Sequence, residues 1–294
     1  MWTISRPDVG DIDAQLDAAL VHKDGTVVYA LTANERDSIH ALYAAYDVLE
    51  GEPDPALMPP GLDHCKNALH AAYGQVQKGG RLAGLRGALL AAVVECPLCG
   101  FAPASTLDHH LPKDEYRALS IYPRNLVPSC QPCNRAKGTL QPVAGEGMIH
   151  AYFQQLPDEA FLHADVDYND GVLVVSFRIE SAALEAPLLE RLRFQFDRLS
   201  LNARYSDPIN VFLFNLKPAF KMFRGMPNSQ DLMRSFLVRS AMDYETDFGL
   251  NHWRVALMRG LSACEAFLAD PWSYLDRGLL EVRVPYPAEP PTTP

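Results

Sequence analysis

No uncharged apolar run in this sequence is long enough to span a membrane, because a span needs ~18–20 residues. The longest candidate, residues 82–94, is too short and contains Arg86. The N-terminal residues show no charged stretch followed by an apolar one, so no secretory signal is predicted. We therefore expect a cytoplasmic protein with no membrane partner. In that compartment the six cysteines are more often metal ligands or free thiols than disulfides.

Two further features are missing from the sequence. It contains no internal repeat, which argues against a repeat architecture. It also contains no Walker-type Gly-Lys-Ser/Thr loop, so any dependence on ATP would have to come from another chain. Apolar residues are plentiful, because 48% of the chain is hydrophobic and the mean hydropathy is -0.09. This composition excludes a fully disordered chain, and 294 residues are enough for one large or two ordinary domains.

Basic residues are fewer than acidic ones, 26 against 36, and the net charge of -10 argues mildly against a nucleic-acid-binding protein. The charge is unevenly distributed, however. Residues 72–140 carry eight basic and four acidic side chains, whereas the preceding and following segments carry net charges of -8 and -6. Local positive potential matters more than net charge for binding a polyanion. The middle segment is therefore the candidate contact for a nucleic acid.

The pattern of apolar residues predicts an α+β protein in four parts. Residues 1–91 are predicted to form a helical region and residues 92–145 a small core that contains the paired cysteines. Residues 146–283 are predicted to form a β-hairpin, over 161–179, followed by helices. Residues 284–294 are rich in proline and are predicted to be disordered.

Three helices are predicted in the N-terminal region. Thr32 and Glu35 form a possible capping box at the start of the first one. Its apolar face then contains Ile39, Leu42, Tyr43, Tyr46 and Leu49. A second amphipathic helix is predicted from Leu62 to Val76, and a third from Leu82 to Cys96.

The strongest motif is a pair of C-x2-C turns, formed by Cys96, Cys99, Cys130 and Cys133. A C-x2-C turn places two thiolates on one side of a tight knuckle, and two knuckles complete a tetrahedral zinc site. Four thiolates leave no open coordination position, so the zinc would be structural. The alternative is a pair of redox-active motifs, but no thioredoxin-like βαβ pattern surrounds these cysteines.

The segment between the knuckles contains a D-H pair at Asp108 and His109, an N-L-V-P phrase that begins at Asn125, and a final Asn134 directly after the second knuckle. This order of elements, over roughly residues 92–140, resembles the HNH endonuclease family, which has the ββα-metal fold, and in particular its zinc-stabilised subgroup with four cysteines. The resemblance implies a short strand that carries Asp108 and His109 and a short helix that carries Asn134.

The resemblance also implies a role for each motif residue. Asp108 and Asn134 would bind one catalytic divalent cation, Mg²⁺ or Mn²⁺. His109 would be the general base that takes a proton from the attacking water. Asn125 would complete the catalytic set by hydrogen bonding across the loop and holding His109 in place. Lys113, Arg117, Arg124, Arg135 and Lys137 are the candidate phosphate contacts.

Each role has an alternative. His110 is the second candidate for the base, although alternation along a strand would point its side chain away from that of His109. Asn134 could instead cap the following helix. The basic side chains could be ordinary solvated charges.

The sequence thus favours a metal-dependent HNH-type endonuclease that cleaves DNA, of the kind found in bacterial anti-phage defence or restriction. Such nucleases often act beside a partner ATPase. The main alternative is a non-catalytic zinc module that binds nucleic acid or protein. A third reading is a nuclease that cleaves RNA, because the motif chemistry does not separate the two substrates.

Overall fold

The chain forms an α+β structure, as the pattern of helical and strand segments predicted. A computed structural model describes residues 3–141 and 147–276 and the backbone of 282–283. The predicted proline-rich tail, residues 284–294, lies outside the described residues. The structure divides into an N-terminal unit that ends at Leu156 and a C-terminal unit that begins at Pro157.

The N-terminal unit begins with four helices and continues with a small hairpin and a fifth helix. The α-helices are α1 (Ile12–Ala19), α2 (Ala33–Val48), α3 (Lys66–Ala72), α4 (Ala83–Ala91) and α5 (Gln131–Lys137). The strands are β1 (Thr106–His109) and β2 (Leu126–Ser129). Short 3-10 turns cover Pro55–Leu57, Pro60–Leu62, Tyr73–Val76, Arg117–Leu119 and Pro123–Asn125.

The sequence prediction for α2 is confirmed in detail. Thr32 caps the helix, and both hydrogen bonds of the capping box with Glu35 are present. The buried face contains Ile39, Leu42, Tyr43 and Tyr46. The other two helical predictions were too long. The second segment is split into a turn, α3 and another turn, and α4 ends at Ala91, so Cys96 lies in a loop.

One hydrophobic core joins the helices to the hairpin. It contains side chains from α1 to α4, both strands and the segment after α5, from Leu16 to Phe153 in the chain. The hairpin strands are antiparallel, with Thr106 opposite Ser129 and His109 opposite Leu126. The segment that carries the D-H pair therefore shares its core with the preceding helices.

The C-terminal unit contains the predicted hairpin. Strands β3 (Leu162–Asn169) and β4 (Val172–Ile179) are antiparallel, and a short β5 (Val282–Arg283) runs parallel to β4. The turn residues Asp170 and Gly171 both have positive φ, as a tight two-residue hairpin turn requires. The helices are α6 (Ala186–Arg198), α7 (Leu201–Arg204), α8 (Ser206–Lys221), α9 (Ser229–Phe248), α10 (Trp253–Ala263), α11 (Glu265–Ala269) and α12 (Trp272–Leu275).

The hairpin and α10 are in close contact in this unit. A Cβ at Gly260 would lie 2.6 Å from the carbonyl oxygen of Ala164, so the contact requires glycine. Asn251 also ties the start of α10 to β3, because its Oδ1 accepts hydrogen bonds from the backbone N–H groups of Phe161 and Leu162. None of the described helices combines the length and the apolar character that crossing a membrane would take.

Candidate metal centre and active site

The four paired cysteines lie together, as the two C-x2-C turns predicted. Cys96 and Cys99 occupy the turn before β1, where the N–H of Gly100 donates to the carbonyl of Cys96. Cys130 is the N-cap residue of α5, and Cys133 lies in its first turn. All four are buried, and their sulfur atoms lie within 4.8 Å of one another. The Sγ atoms of Cys99 and Cys130 are 3.8 Å apart, which matches the edge of about 3.8 Å in a tetrahedron with Zn–S bonds of about 2.3 Å. These cysteines could hold a structural zinc ion.

A second group of possible metal ligands has a different explanation. Glu35, His64 and Cys65 bring their ligand atoms within 4.8 Å of one another. The carboxylate of Glu35 already accepts hydrogen bonds from the N–H and hydroxyl of Thr32 and from the hydroxyl of Tyr29. Nε2 of His64 lies 2.5 Å from the same carboxylate. The capping box and these neighbours account for the buried carboxylate without a metal ion.

Asn134 connects α5 to β1 within the unit formed by β1, β2 and α5. The hairpin β1–β2 leads directly into α5, and Asn134 lies in the middle of that helix. Its Nδ2 donates to the hydroxyl of Thr106 and to the carbonyl of Leu107, at 3.1 and 3.2 Å. Asn134 is therefore not the helix cap, which is Cys130. The hydrogen bonds of Nδ2 orient the side chain towards β1, and the amide oxygen keeps its capacity to accept or ligate.

Asp108 lies on β1 beside a buried lysine. The ammonium of Lys137, on α5, is 3.4 Å from the Asp108 carboxylate and donates to the carbonyl oxygen of His109 at 2.6 Å. Both side chains are almost completely buried. Burial raises the pKa of Asp108 to about 6, and the neighbouring ammonium opposes that shift. Lys137, one of the candidate phosphate contacts from the sequence, thus lies inside the candidate centre and not on its surface.

The His109 ring is held in a defined orientation. Its Nε2 lies 2.9 Å from the carbonyl oxygen of Ser120, and the ring packs edge-on against Tyr73 at 4.4 Å. A carbonyl oxygen only accepts hydrogen bonds, so Nε2 carries the hydrogen and Nδ1 of the neutral ring keeps its lone pair. Burial lowers the pKa of His109 to about 4. The ring is therefore neutral at pH 7, with one nitrogen able to accept a proton.

His110 and Asn125 lie deeper in the same loop. The His110 ring packs against His150, at 4.0 Å between centroids. The amide of Asn125 accepts from the N–H of Leu111 at 2.8 Å, and it donates to the carbonyls of Leu111 at 3.1 Å and Leu119 at 3.3 Å. These bonds span the loop between β1 and β2 and close it around His109.

The remaining candidate phosphate contacts differ in their surroundings. Arg124 forms an ion pair with Asp47, and Arg117 bonds the side chain of Asn67. Lys113 contacts His70 and Asp114. Arg135 is exposed on α5 and makes no ion pair within the residues that the structure describes.

Sequence reasoning did not identify three of the side chains that surround the site. Tyr73 contacts the His109 ring, and its hydroxyl donates to the carbonyl of Leu107 at 3.2 Å. The Tyr46 hydroxyl lies within hydrogen-bond distance of both the His150 ring and Asn125, in the loop between β1 and β2. The helical pattern correctly predicted that Tyr46 faces the core. A periodic pattern shows which face is buried, but it contains no information about the partner of a hydroxyl group.

Comparison with known proteins gives a short match. Over 47 residues the chain is 43% identical to protein ea31 of Escherichia phage lambda. The match covers 16% of this chain and 16% of that protein, about a sixth of each. No protein-family model and no solved structure matches the chain.

Proposed function

We propose that this chain is a metal-dependent endonuclease of the HNH type that hydrolyses phosphodiester bonds in DNA. The proposal depends on one observation above all. A single hairpin–helix unit carries Asp108 on β1, the oriented His109 ring at the end of β1, and Asn134 on α5, and the Asn134 amide bonds back to β1. The four cysteines flank this unit at both ends of the motif.

The residues present suit a hard divalent cation. Asp108 offers a carboxylate and Asn134 an amide oxygen, and Mg²⁺ takes few protein oxygens while keeping several waters. Asp108 and Asn134 would hold Mg²⁺ or Mn²⁺, which when bound stabilises the negative charge that develops on the phosphate. The ammonium of Lys137 beside Asp108 compensates the buried carboxylate. Zinc at the four cysteines would have only a structural role, because thiolates would fill its coordination shell.

His109 would act as the general base. Ser120 holds Nε2, so Nδ1 would take the proton from the attacking water. Tyr73 packs on one side of the ring and restricts its rotation. The resemblance to the HNH family implies that the products carry 5′-phosphate and 3′-hydroxyl ends.

A nucleic acid is the proposed substrate because the site lies in the basic middle segment of the chain, and the resemblance to the HNH family favours DNA. The acidic segments on both sides would weaken non-specific binding to DNA. We therefore propose that the chain alone cleaves DNA slowly, and that a partner, such as an ATPase of a bacterial defence system, accelerates cleavage by bringing DNA to this segment.

Cleavage of supercoiled plasmid by the purified full chain tests the proposal. The reactions contain Mg²⁺, Mn²⁺ or EDTA, and matched single-stranded DNA, duplex DNA and RNA are added in parallel. We expect metal-dependent nicking that His109→Ala lowers at least 100-fold, since a general base contributes about 10²–10⁴-fold. The control is His163→Ala, a histidine of the C-terminal unit whose ring bonds the carbonyl of Glu180. Full activity of His109→Ala would refute the assigned base, and cleavage of RNA alone would refute the substrate.

A further inference from the structure

A buried tyrosine outside the motif is hydrogen-bonded to the loop that holds His109. Tyr46 lies on α2 and is completely buried. Its hydroxyl lies 3.0 Å from Oδ1 of Asn125 and 2.9 Å from Nε2 of His150. One hydroxyl group therefore joins three segments that are distant in the chain: the helix α2, the loop between β1 and β2, and residues 148–153.

The direction of each hydrogen bond follows from the partners. Nδ1 of His150 accepts from the backbone N–H of Tyr152 at 3.1 Å, so the hydrogen of the neutral ring is on Nε2. Nε2 then donates to the oxygen of Tyr46. Tyr46 donates its single hydrogen to Oδ1 of Asn125 at 3.0 Å, because the other acceptor, the carbonyl oxygen of Arg124, is 3.5 Å away. The amide orientation of Asn125 is equally defined, because the N–H of Leu111 can only donate to its oxygen. The chain of donors runs from His150 through Tyr46 to Asn125.

Asn125 transmits this constraint to both sides of the His109 ring. On one side, its amide hydrogen-bonds to the N–H and to the carbonyl of Leu111, two residues after His109. On the other side, it donates to the carbonyl of Leu119, and the next carbonyl, that of Ser120, accepts from His109. Fixing Asn125 therefore fixes the backbone that bears the ring and the acceptor that orients it.

The turn after α2 has a glycine where a side chain would collide with the Tyr46–His150 hydrogen bond. Gly51 has a φ of +78°, and a Cβ there would lie 2.9 Å from Nε2 of His150 and 3.0 Å from the Tyr46 hydroxyl. A side chain at this position would therefore push the His150 ring away from Tyr46. A buried hydroxyl is also costly unless it is hydrogen-bonded, and here two partners satisfy it.

We propose that Tyr46, with His150 as its donor, is a positioning residue for His109. The proposal rests on the proposed function only in assigning catalysis to His109. It makes α2 part of the nuclease site, although no residue of α2 belongs to the motif.

Four variants of the full chain test this role. Tyr46→Phe keeps the ring and removes the hydroxyl, and His150→Leu removes the donor. His150→Gln keeps a donor at the position of Nε2. The control is Tyr43→Phe, one turn earlier on α2, which loses a hydrogen bond to the carbonyl of Ala118 and none to Asn125. Zinc content and melting temperature are measured for each variant, and kcat and KM for plasmid nicking are then compared.

We expect Tyr46→Phe and His150→Leu to lower kcat about 10- to 100-fold with little change in KM, because a small displacement of a catalytic group has effects of this size. His150→Gln and Tyr43→Phe should stay within about threefold of the unaltered chain. Wild-type kcat in zinc-loaded Tyr46→Phe would overturn the proposal. If Tyr46→Phe fails to fold, the contrast between His150→Leu and His150→Gln decides, and equal kcat values for these two would overturn it.

A readout without catalysis separates this proposal from the proposed function. Long-range ¹H–¹⁵N NMR spectra of the His109 ring, assigned with His109→Gln, report which ring nitrogen carries the hydrogen. The unaltered chain should show the Nε2–H form, and Tyr46→Phe should show a mixture of both forms. If the unaltered chain cleaves no nucleic acid, the proposed function fails. An unchanged His109 spectrum in Tyr46→Phe would then refute the positioning role separately.

Discussion

Replacing Asn125 by alanine should destabilise the N-terminal unit by about 2–6 kcal/mol, because two buried backbone groups lose their partners. Asn125 is completely buried. Within the described residues, the N–H and the carbonyl of Leu111 bond only to its amide. The carbonyl of Leu119 keeps the N–H of Tyr122, and the Tyr46 hydroxyl keeps His150. Each of the two orphaned groups costs about 1–3 kcal/mol.

The control for this prediction is Asn134→Ala. Asn134 is only half-buried, and both of its partners keep other hydrogen bonds: Thr106 with Ser129, and the Leu107 carbonyl with Tyr73. No buried group is orphaned, so the cost should stay within about 1 kcal/mol.

Hydrogen exchange followed by mass spectrometry is the appropriate assay for both variants. Two of the three tryptophans, Trp253 and Trp272, lie in the C-terminal unit, so the fluorescence signal would report mainly on the wrong part of the chain. In zinc-loaded protein, amides of residues 107–129 should lose about 1.5 to 4.4 orders of magnitude of protection in Asn125→Ala, since 1.36 kcal/mol corresponds to a factor of ten. Equal protection in Asn125→Ala and Asn134→Ala would refute the reasoning.

Three further predictions concern the metal ligands and two buried charges. Cys130→Ser should lose the bound zinc and unfold the hairpin–helix unit, because structural zinc contributes about 10–16 kcal/mol in small domains. The control, Cys65→Ser, should keep one equivalent of zinc by elemental analysis. Lys137→Met should destabilise the unit by about 3–5 kcal/mol in urea titrations by leaving Asp108 buried without its cation, and a loss below 1 kcal/mol would contradict this. Hydrogen bonds from the Tyr29 hydroxyl and from Thr32 lower the pKa of Glu35 to about 2 from an ordinary 4.5. The ionised Glu35 carboxylate therefore stabilises the fold above pH 4.5, and this stabilisation is lost as the pH falls towards 2. Glu35→Gln should therefore flatten the fall of the melting temperature between these pH values, and an unchanged slope would count against it.

Local features of the fold could be predicted from the sequence because neighbouring residues determine them. The capping box needs only Thr32 and Glu35, three positions apart. The hairpin of the C-terminal unit needs only alternating residues and the Asp170–Gly171 turn. The four-cysteine cluster was also predictable, because the C-x2-C spacing specifies the geometry of each knuckle.

Features that depend on tertiary contacts could not be predicted in this way. Lys137 was interpreted as a phosphate contact or a solvated charge, because a lysine after a knuckle gives no sign that Asp108, 29 positions earlier, lies beside it in the buried interior. The segment from His252 to Leu268 has the apolar period of one continuous helix, but the helix is interrupted at Cys264, which has an extended conformation. The apolar period alone does not show such a break, because α10 and α11 keep apolar residues on both sides of it.

Different contacts hold the two ends of the motif and the loop between its strands. The cysteines constrain the two ends of the motif, before β1 and at the start of α5, whereas the long loop between the strands contains no metal ligand. That loop carries the acceptor for His109, and its constraints come from Asn125 and, through Tyr46, from α2. Zinc could therefore organise residues 96–134 in outline without fixing the ring of His109. We therefore expect the geometry of the candidate site to depend on the helical region before the motif, so that zinc content alone would not show whether the site is intact.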